Sequence, residues 1–265
     1  MLKITSPSNP TIRLIKSLYR KKQRWVRKLF LVEGLKMVEE CIDNGYSITN
    51  IIYSNDLLDI QGGKAFLDKI KDDGRLINVS NQLYREISNM ETPQGILAIA
   101  KFEVNSICEA NLGNNPLMLF LDRIQDPGNM GTIIRTADAF GIDGIVVTSG
   151  CVDIYNPKVV RATMGSIFRV PIYDEGDGIE AIKKIKDKGI ATYVAALEES
   201  IYIGKVDLNR PCILVIGNES DGVSPDIMAL ADKLIKIPML GGAESLNAAV
   251  ASSIIMYEAI RQRTQ

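Results

Sequence analysis

Asp122-Arg-Ile-Gln-Asp-Pro-Gly-Asn-Met-Gly-Thr-Ile-Ile-Arg135 is the stretch on which the fold turns. Before it stands Leu117-Met-Leu-Phe-Leu121, a continuous apolar run of strand length. Pro127-Gly128-Asn129 is a turn cluster. Ile133, Ile134, Ala137 and Phe140 then recur at helical spacing. The order is strand, polar loop, helix, with Asn129 near the helix start and Arg135 about two turns in. Open α/β sheets bind ligands at such strand ends. The segment alone favours a plain reading, in which Asn129 caps the helix and Arg135 pairs with Asp138.

Two later stretches repeat the arrangement. Cys212-Ile-Leu-Val-Ile216 is an apolar, β-branched run ending in Gly217-Asn-Glu-Ser-Asp-Gly222, and Leu234-Ile-Lys-Ile-Pro238 ends in Met239-Leu-Gly-Gly-Ala-Glu-Ser-Leu-Asn247. Glycine lets a backbone come close to a ligand. The ordered set Asn-x-Gly-x-x-x-Arg, Gly-Asn-Glu-x-x-Gly and Ile-Pro…Ser-Leu-Asn resembles the three motifs of the SpoU (TrmH-like) family of RNA ribose 2′-O-methyltransferases, within the SPOUT superfamily. The resemblance is specific over residues 117–262 and looser over the whole chain.

Composition narrows the chemistry independently. The chain has 265 residues, 46% of them hydrophobic, which gives room for one large or two modest domains of a soluble protein. No apolar run approaches the length of a bilayer span. The opening Met1-Leu-Lys-Ile-Thr-Ser-Pro7 lacks a signal-peptide core, and Cys41, Cys108, Cys151 and Cys212 show no zinc or disulfide spacing. A cytoplasmic protein without a bound metal or a membrane partner is therefore expected. Histidine is absent, which excludes Ser-His-Asp and Cys-His hydrolases and any imidazole base. Methyl transfer from a sulfonium tolerates that lack, because the departing thioether needs no proton. A nicotinamide dehydrogenase is disfavoured, since no G-x-G-x-x-G follows a strand.

Charge is unevenly spread. The first 32 residues carry nine Lys/Arg and no Asp/Glu, leaving 22 against 32 for the rest of the chain. Such a block reads as a polyanion-binding arm over residues 1–28, with Arg13, Lys16, Arg20, Lys21, Lys22 and Arg24 as candidate RNA contacts; a solvated helix face is the plain alternative. Asn9-Pro10 predicts a helix start. Trp25 could stack on an unpaired base or anchor the arm. From Leu29 the pattern alternates between strands and helices to about residue 102, and a polar linker covers 103–116. Strands near 117–121, 144–148, 170–173, 190–196, 212–216 and 234–237 then predict a mostly parallel sheet covered on both faces. The last helix, Leu246 to about Arg263, carries Ala249, Val250, Ile254, Ile255, Tyr257 and Ile260. Burial in its own domain and burial in a dimer interface both suit it.

The resemblance implies more. It implies an L30e-like α/β RNA-binding domain over 29–102, and a SPOUT domain with a deep trefoil knot over 117–265 that forms a homodimer. It implies S-adenosylmethionine as methyl donor, held by Leu197, Gly217, Ile237, Met239 and Leu246. Catalytic positions match Asn129, Arg135, Glu219, Ser245 and Asn247. Ser245 equally suits the N-cap of the final helix. Asn156-Pro-Lys-Val-Val-Arg161 followed by Met164-Gly-Ser166 is similar to the family's RNA-side segment, which gives Arg161 an RNA contact. Arginine stays protonated, so Arg135 suits electrostatic stabilisation of an alkoxide, with Ser245 or an RNA phosphate open as proton acceptor. The implied substrate is structured RNA, 23S ribosomal RNA before transfer RNA; an inactive RNA-binding protein is the other reading.

Overall fold

The computed structural model describes residues 2–197 and 199–265; Met1 and Glu198 lie outside the described residues. The chain divides into two compact units. One holds the chain up to Glu103 together with Asp153–Phe168, and the other holds Val104–Val152 and Arg169–Gln265.

The first unit contains β1 (Leu2–Ile4), α1 (Pro10–Leu18), α2 (Lys21–Arg27), β2 (Leu29–Glu33), α3 (Leu35–Asp43), β3 (Ile48–Tyr53), α4 (Gly63–Ile70), β4 (Leu76–Val79), α5 (Asn81–Ile87) and β5 (Ile96–Lys101). Its sheet runs β1-β4-β3-β5-β2, parallel across β1, β4 and β3 and antiparallel at β5. Asn9 caps α1 with Pro10 in the first turn, as the sequence predicts. The separate arm over 1–28 is not what the structure shows. Ile12, Ile15 and Leu18 are fully buried in one core with Leu31, Ile52, Leu97 and Ile99, and β1 extends the sheet. The apolar stripe at i, i+3 and i+6 outweighs the charges between it, so α1 packs with its cations outward.

The second unit contains β6 (Leu117–Leu121), α6 (Pro127–Ala139) and β7 (Gly144–Thr148). The chain then departs, and Asp153–Phe168, with α7 (Pro157–Ala162), folds as part of the first unit. It resumes with β8 (Ile172–Gly176), α8 (Gly178–Asp187), β9 (Ala191–Ala195), β10 (Ile201–Tyr202), β11 (Cys212–Ile216), α9 (Pro225–Met228), β12 (Lys233–Lys236) and α10 (Ala248–Arg263). The seven strands are ordered β10-β12-β9-β11-β6-β7-β8, and every pairing is parallel. β6 and β11 are buried along their whole length, which is why both read as unbroken apolar runs. The 103–116 stretch is not a free linker: Ile107 is buried in this core, and Ser106 Oγ and Ile107 N donate to Glu175. No helix among the described residues is long and apolar enough to cross a membrane.

From β6 the chain moves outward through β7 to β8, then returns to build β9, β11 and β12 on the other side of β6. Such a reversal opens a crevice at the carboxyl ends of the strands. The loops after β6, β9, β11 and β12 all emerge there.

Candidate active site

Three side chains, from the first turn of α6, the loop after β11 and the cap of α10, form one hydrogen-bonded chain. Asp126, not Asn129, caps α6: its carboxylate accepts from Asn129 N at 2.7 Å, with Pro127 in the first turn. The Asn129 amide is thereby left to reach across, and its Nδ2 donates to Glu219 Oε1 at 2.8 Å. Asn247 Nδ2 donates to Asn129 Oδ1 at 2.9 Å. Asn247 Oδ1 accepts from Ala249 N and Val250 N, so Asn247 rather than Ser245 is the cap of α10. Those backbone donors fix which end of Asn247 faces Asn129, and the whole chain is then directional from Asn247 to the Glu219 carboxylate. Glu219 also accepts from Gln125 N and Asp126 N, each at 3.3 Å. Burial would raise its carboxyl, but the Asn129 amide and the backbone N–H groups more than offset this and hold it below the ordinary range.

A supporting set beneath these residues was not legible in the sequence. Arg123 adopts a left-handed backbone, φ 58°, which turns its carbonyl to accept Asn218 Nδ2 at 2.9 Å. Asn218 Oδ1 accepts from Ser220 N and Asp221 N, closing the loop around Glu219. Buried Asp122 accepts from Ser224 N at 2.8 Å. Gly217 is needed for a reason different from ligand approach: a Cβ there would lie 2.1 Å from Gly222 C and Val223 N.

Beside this chain lies a cavity of about 350 Å³. All of Leu197, Gly217, Ile237, Met239 and Leu246 line it, together with Glu219 and Ser245. Ile216, Ile235, Ala248, Ala251 and Ile255 complete an apolar wall. Lys236 and Glu244 also line the cavity, and the motif comparison had not singled them out. The volume falls within the ~300–1,000 Å³ span of small-molecule sites. Arg135 stands apart from the hydrogen-bonded chain. It is exposed on α6, and its guanidinium has no partner among the described residues. Asp138, the partner expected on the plain reading, instead binds Arg169 at 2.7 Å.

The basic candidates in the first unit separate into two kinds. Arg13, Lys16, Arg20, Lys21 and Lys22 are exposed, with Lys16 3.6 Å from Glu86. Arg24 is not an RNA contact: it is 2% exposed. Its Nε and Nη2 donate to Asp153, and its Nη1 donates to Leu18 O at 2.7 Å. Trp25 is an anchor, with Nε1 donating to Asp153 at 3.1 Å and its ring edge-on to Phe102. Arg161 lies 4.0 Å from buried Glu33, and its Nη1 is buried without a hydrogen bond among the described residues. Burial pushes the Glu33 carboxyl up, opposed by Ser88 and Arg161.

With this geometry in place, comparison with known proteins is direct. The profile of the SpoU rRNA Methylase family matches residues 116–257, more than half the chain, and that of the MRM3-like substrate binding domain matches residues 9–98. The chain belongs to the SpoU methylase family. It is 30% identical to the 23S rRNA (guanosine(2553)-2'-O)-methyltransferase RlmP of Bacillus subtilis, over 97% of this chain and 98% of that one. The AdoMet-bound rRNA methyltransferase from Sinorhizobium meliloti superposes with a TM-score of 0.86 at 32% identity, covering 98% of this chain and 97% of that one. The SpoU methyltransferase AviRb from Streptomyces viridochromogenes, solved with the cofactor AdoMet, gives 0.85 at 28% identity, covering 97% and 99%.

Proposed function

We propose that this chain methylates a ribose 2′-hydroxyl of ribosomal RNA, with S-adenosylmethionine as donor. The observation that carries this is the Asn247–Asn129–Glu219 chain set against the apolar cavity. The cavity's apolar wall suits an adenine, and its backbone-rich loops suit a nucleoside's polar edge, so the residues present fit the donor. When bound, S-adenosylmethionine supplies an electrophilic methyl group whose leaving thioether needs no proton.

The protein's own tasks are to orient the hydroxyl and to stabilise its oxygen as the proton departs. Glu219 is held ionised by Asn129 Nδ2 and Asp126 N on Oε1 and by Gln125 N on Oε2. A carboxylate so satisfied is a weak base, which makes Glu219 an anchor for Asn129 rather than the proton acceptor. Asn129 and Asn247 present fixed amide dipoles to the ribose. Arg135, without a partner among the described residues, stabilises the alkoxide as a guanidinium; Ser245 lines the same cavity and relays the proton or leaves it to an RNA phosphate.

The substrate belongs to the large ribosomal subunit on this reading, since the relative from Bacillus subtilis is named for 23S rRNA. The first unit acts as an L30e-like RNA-binding domain, with Arg13, Lys16, Arg20, Lys21 and Lys22 on phosphates. The second ties its carboxyl-terminal loops in a deep trefoil knot, and Val250, Ile254 and Tyr257, exposed along α10, make a homodimer face. Mapping 2′-O-methyl groups on ribosomal RNA from cells with and without the gene tests the proposal. One missing methyl in 23S rRNA is expected; an unchanged ribosomal map beside a lost transfer-RNA methyl would move the substrate to transfer RNA.

A further inference from the structure

The cavity carries three charged residues among the described lining: Glu219, Lys236 and Glu244. Glu219 is already satisfied by Asn129 and two backbone N–H groups. Glu244 and Lys236 are not: neither has an ion-pair partner among the described residues, so the lining includes one acidic and one basic residue without an ion pair. Lys236 is steadied without being neutralised. Its ammonium lies 5.4 Å from the centroid of the Tyr202 ring, and Tyr202 pairs with Lys236 in the β10–β12 register. A ring face holds an ammonium while leaving it free to donate to an anion.

An adenine and a sulfonium need only the apolar wall and backbone groups. The methionine end of S-adenosylmethionine is a zwitterion, with one carboxylate and one ammonium. We infer that Lys236 receives that carboxylate and Glu244 that ammonium, and that this pair selects the amino-acid tail of the donor. The inference rests on the methyltransferase reading and adds two binding residues to it. Both side chains stand on the rim, where water screens charge, so each contact contributes modestly. Their value is in fixing the tail so that the methyl group points one way.

Three ligands separate the contributions by calorimetry with the full chain. S-adenosylhomocysteine carries the whole tail, decarboxylated S-adenosylmethionine keeps only the ammonium, and 5′-methylthioadenosine has no tail. Lys236→Ala should weaken S-adenosylhomocysteine about 5-fold, in line with one half-exposed charged contact. It should leave the other two ligands within about twofold. Glu244→Gln should weaken both tailed ligands and spare 5′-methylthioadenosine. Lys236→Arg should keep most of the affinity. Unchanged affinity for 5′-methylthioadenosine in each variant also shows that the cavity remains folded. Equal losses for all three ligands, or no loss for any, would overturn the assignment. A wild-type protein that binds none of them would overturn the methyltransferase reading instead.

Discussion

Arg24 and Lys21–Lys22 lie in one basic run, yet they should fail in opposite ways when mutated. Arg24 is buried and gives three donors: two to Asp153 and one to Leu18 O. The Asp153 carboxylate receives those two together with Trp25 Nε1 and Tyr155 N. Arg24→Ala leaves a buried carboxylate with only neutral donors, a loss of about 3–5 kcal/mol for a broken buried pair. Arg24→Lys should recover little, because one ammonium cannot span the Asp153 fork and Leu18 O together. Lys21→Ala with Lys22→Ala removes two exposed cations, and stability should move by less than about 0.5 kcal/mol per site. The RNA assay should reverse the order. Each lost phosphate contact lowers the slope of log K against log salt by about 0.7–0.9, so the double lysine variant should flatten it and Arg24→Ala should not, at temperatures where it stays folded. Urea unfolding and filter binding at several salt concentrations measure both. A normal unfolding midpoint in Arg24→Ala with a flattened salt slope would refute the burial argument.

Arg135→Ala should cut turnover by about 100-fold, the scale of losing an oxyanion donor, and leave the unfolding midpoint unchanged, since the guanidinium has no partner among the described residues; near-normal turnover would remove it from the mechanism. Gly217→Ala forces a Cβ against the Gly222 and Val223 backbone, so cofactor affinity measured by calorimetry should fall by more than about tenfold, and intact affinity would show that the loop opens freely. Glu33 has a raised folded pKa: the folded state binds its proton more tightly than the unfolded chain, so its stabilising share is complete below the unfolded value and is lost as pH rises through the folded one. Urea midpoints for wild type against Glu33→Gln, compared at pH 4 and pH 8, should therefore diverge in the variant's favour at the higher pH, and parallel midpoints would contradict the shift.

Strands differed in legibility because the physics differs between them. β6 and β11, buried on both faces, announce themselves as unbroken apolar runs, and the segments that follow carry Asn129 and Glu219. β1 and β10 escaped notice, being three and two residues long with side chains exposed except for Ile4, too short to give a period to read. The return of Asp153–Phe168 to the first unit was invisible for another reason: the Arg24–Asp153 pair joins residues 129 positions apart, and no local pattern encodes such a partner. The capping alternatives missed by three residues at α6 and by two at α10, where Asp126 and Asn247 out-compete Asn129 and Ser245 as nearby side-chain acceptors. The left-handed Arg123 carried no signal, because arginine has no intrinsic preference for that region.

Methyl transfer to a ribose oxygen is directly measurable. Purified protein incubated with methyl-tritiated S-adenosylmethionine and 23S rRNA should label the RNA at one nucleotide, and replacing that nucleotide by its 2′-deoxy form should abolish the label. Label that persists on the 2′-deoxy RNA, or that resides on a base after nuclease digestion, would contradict the account.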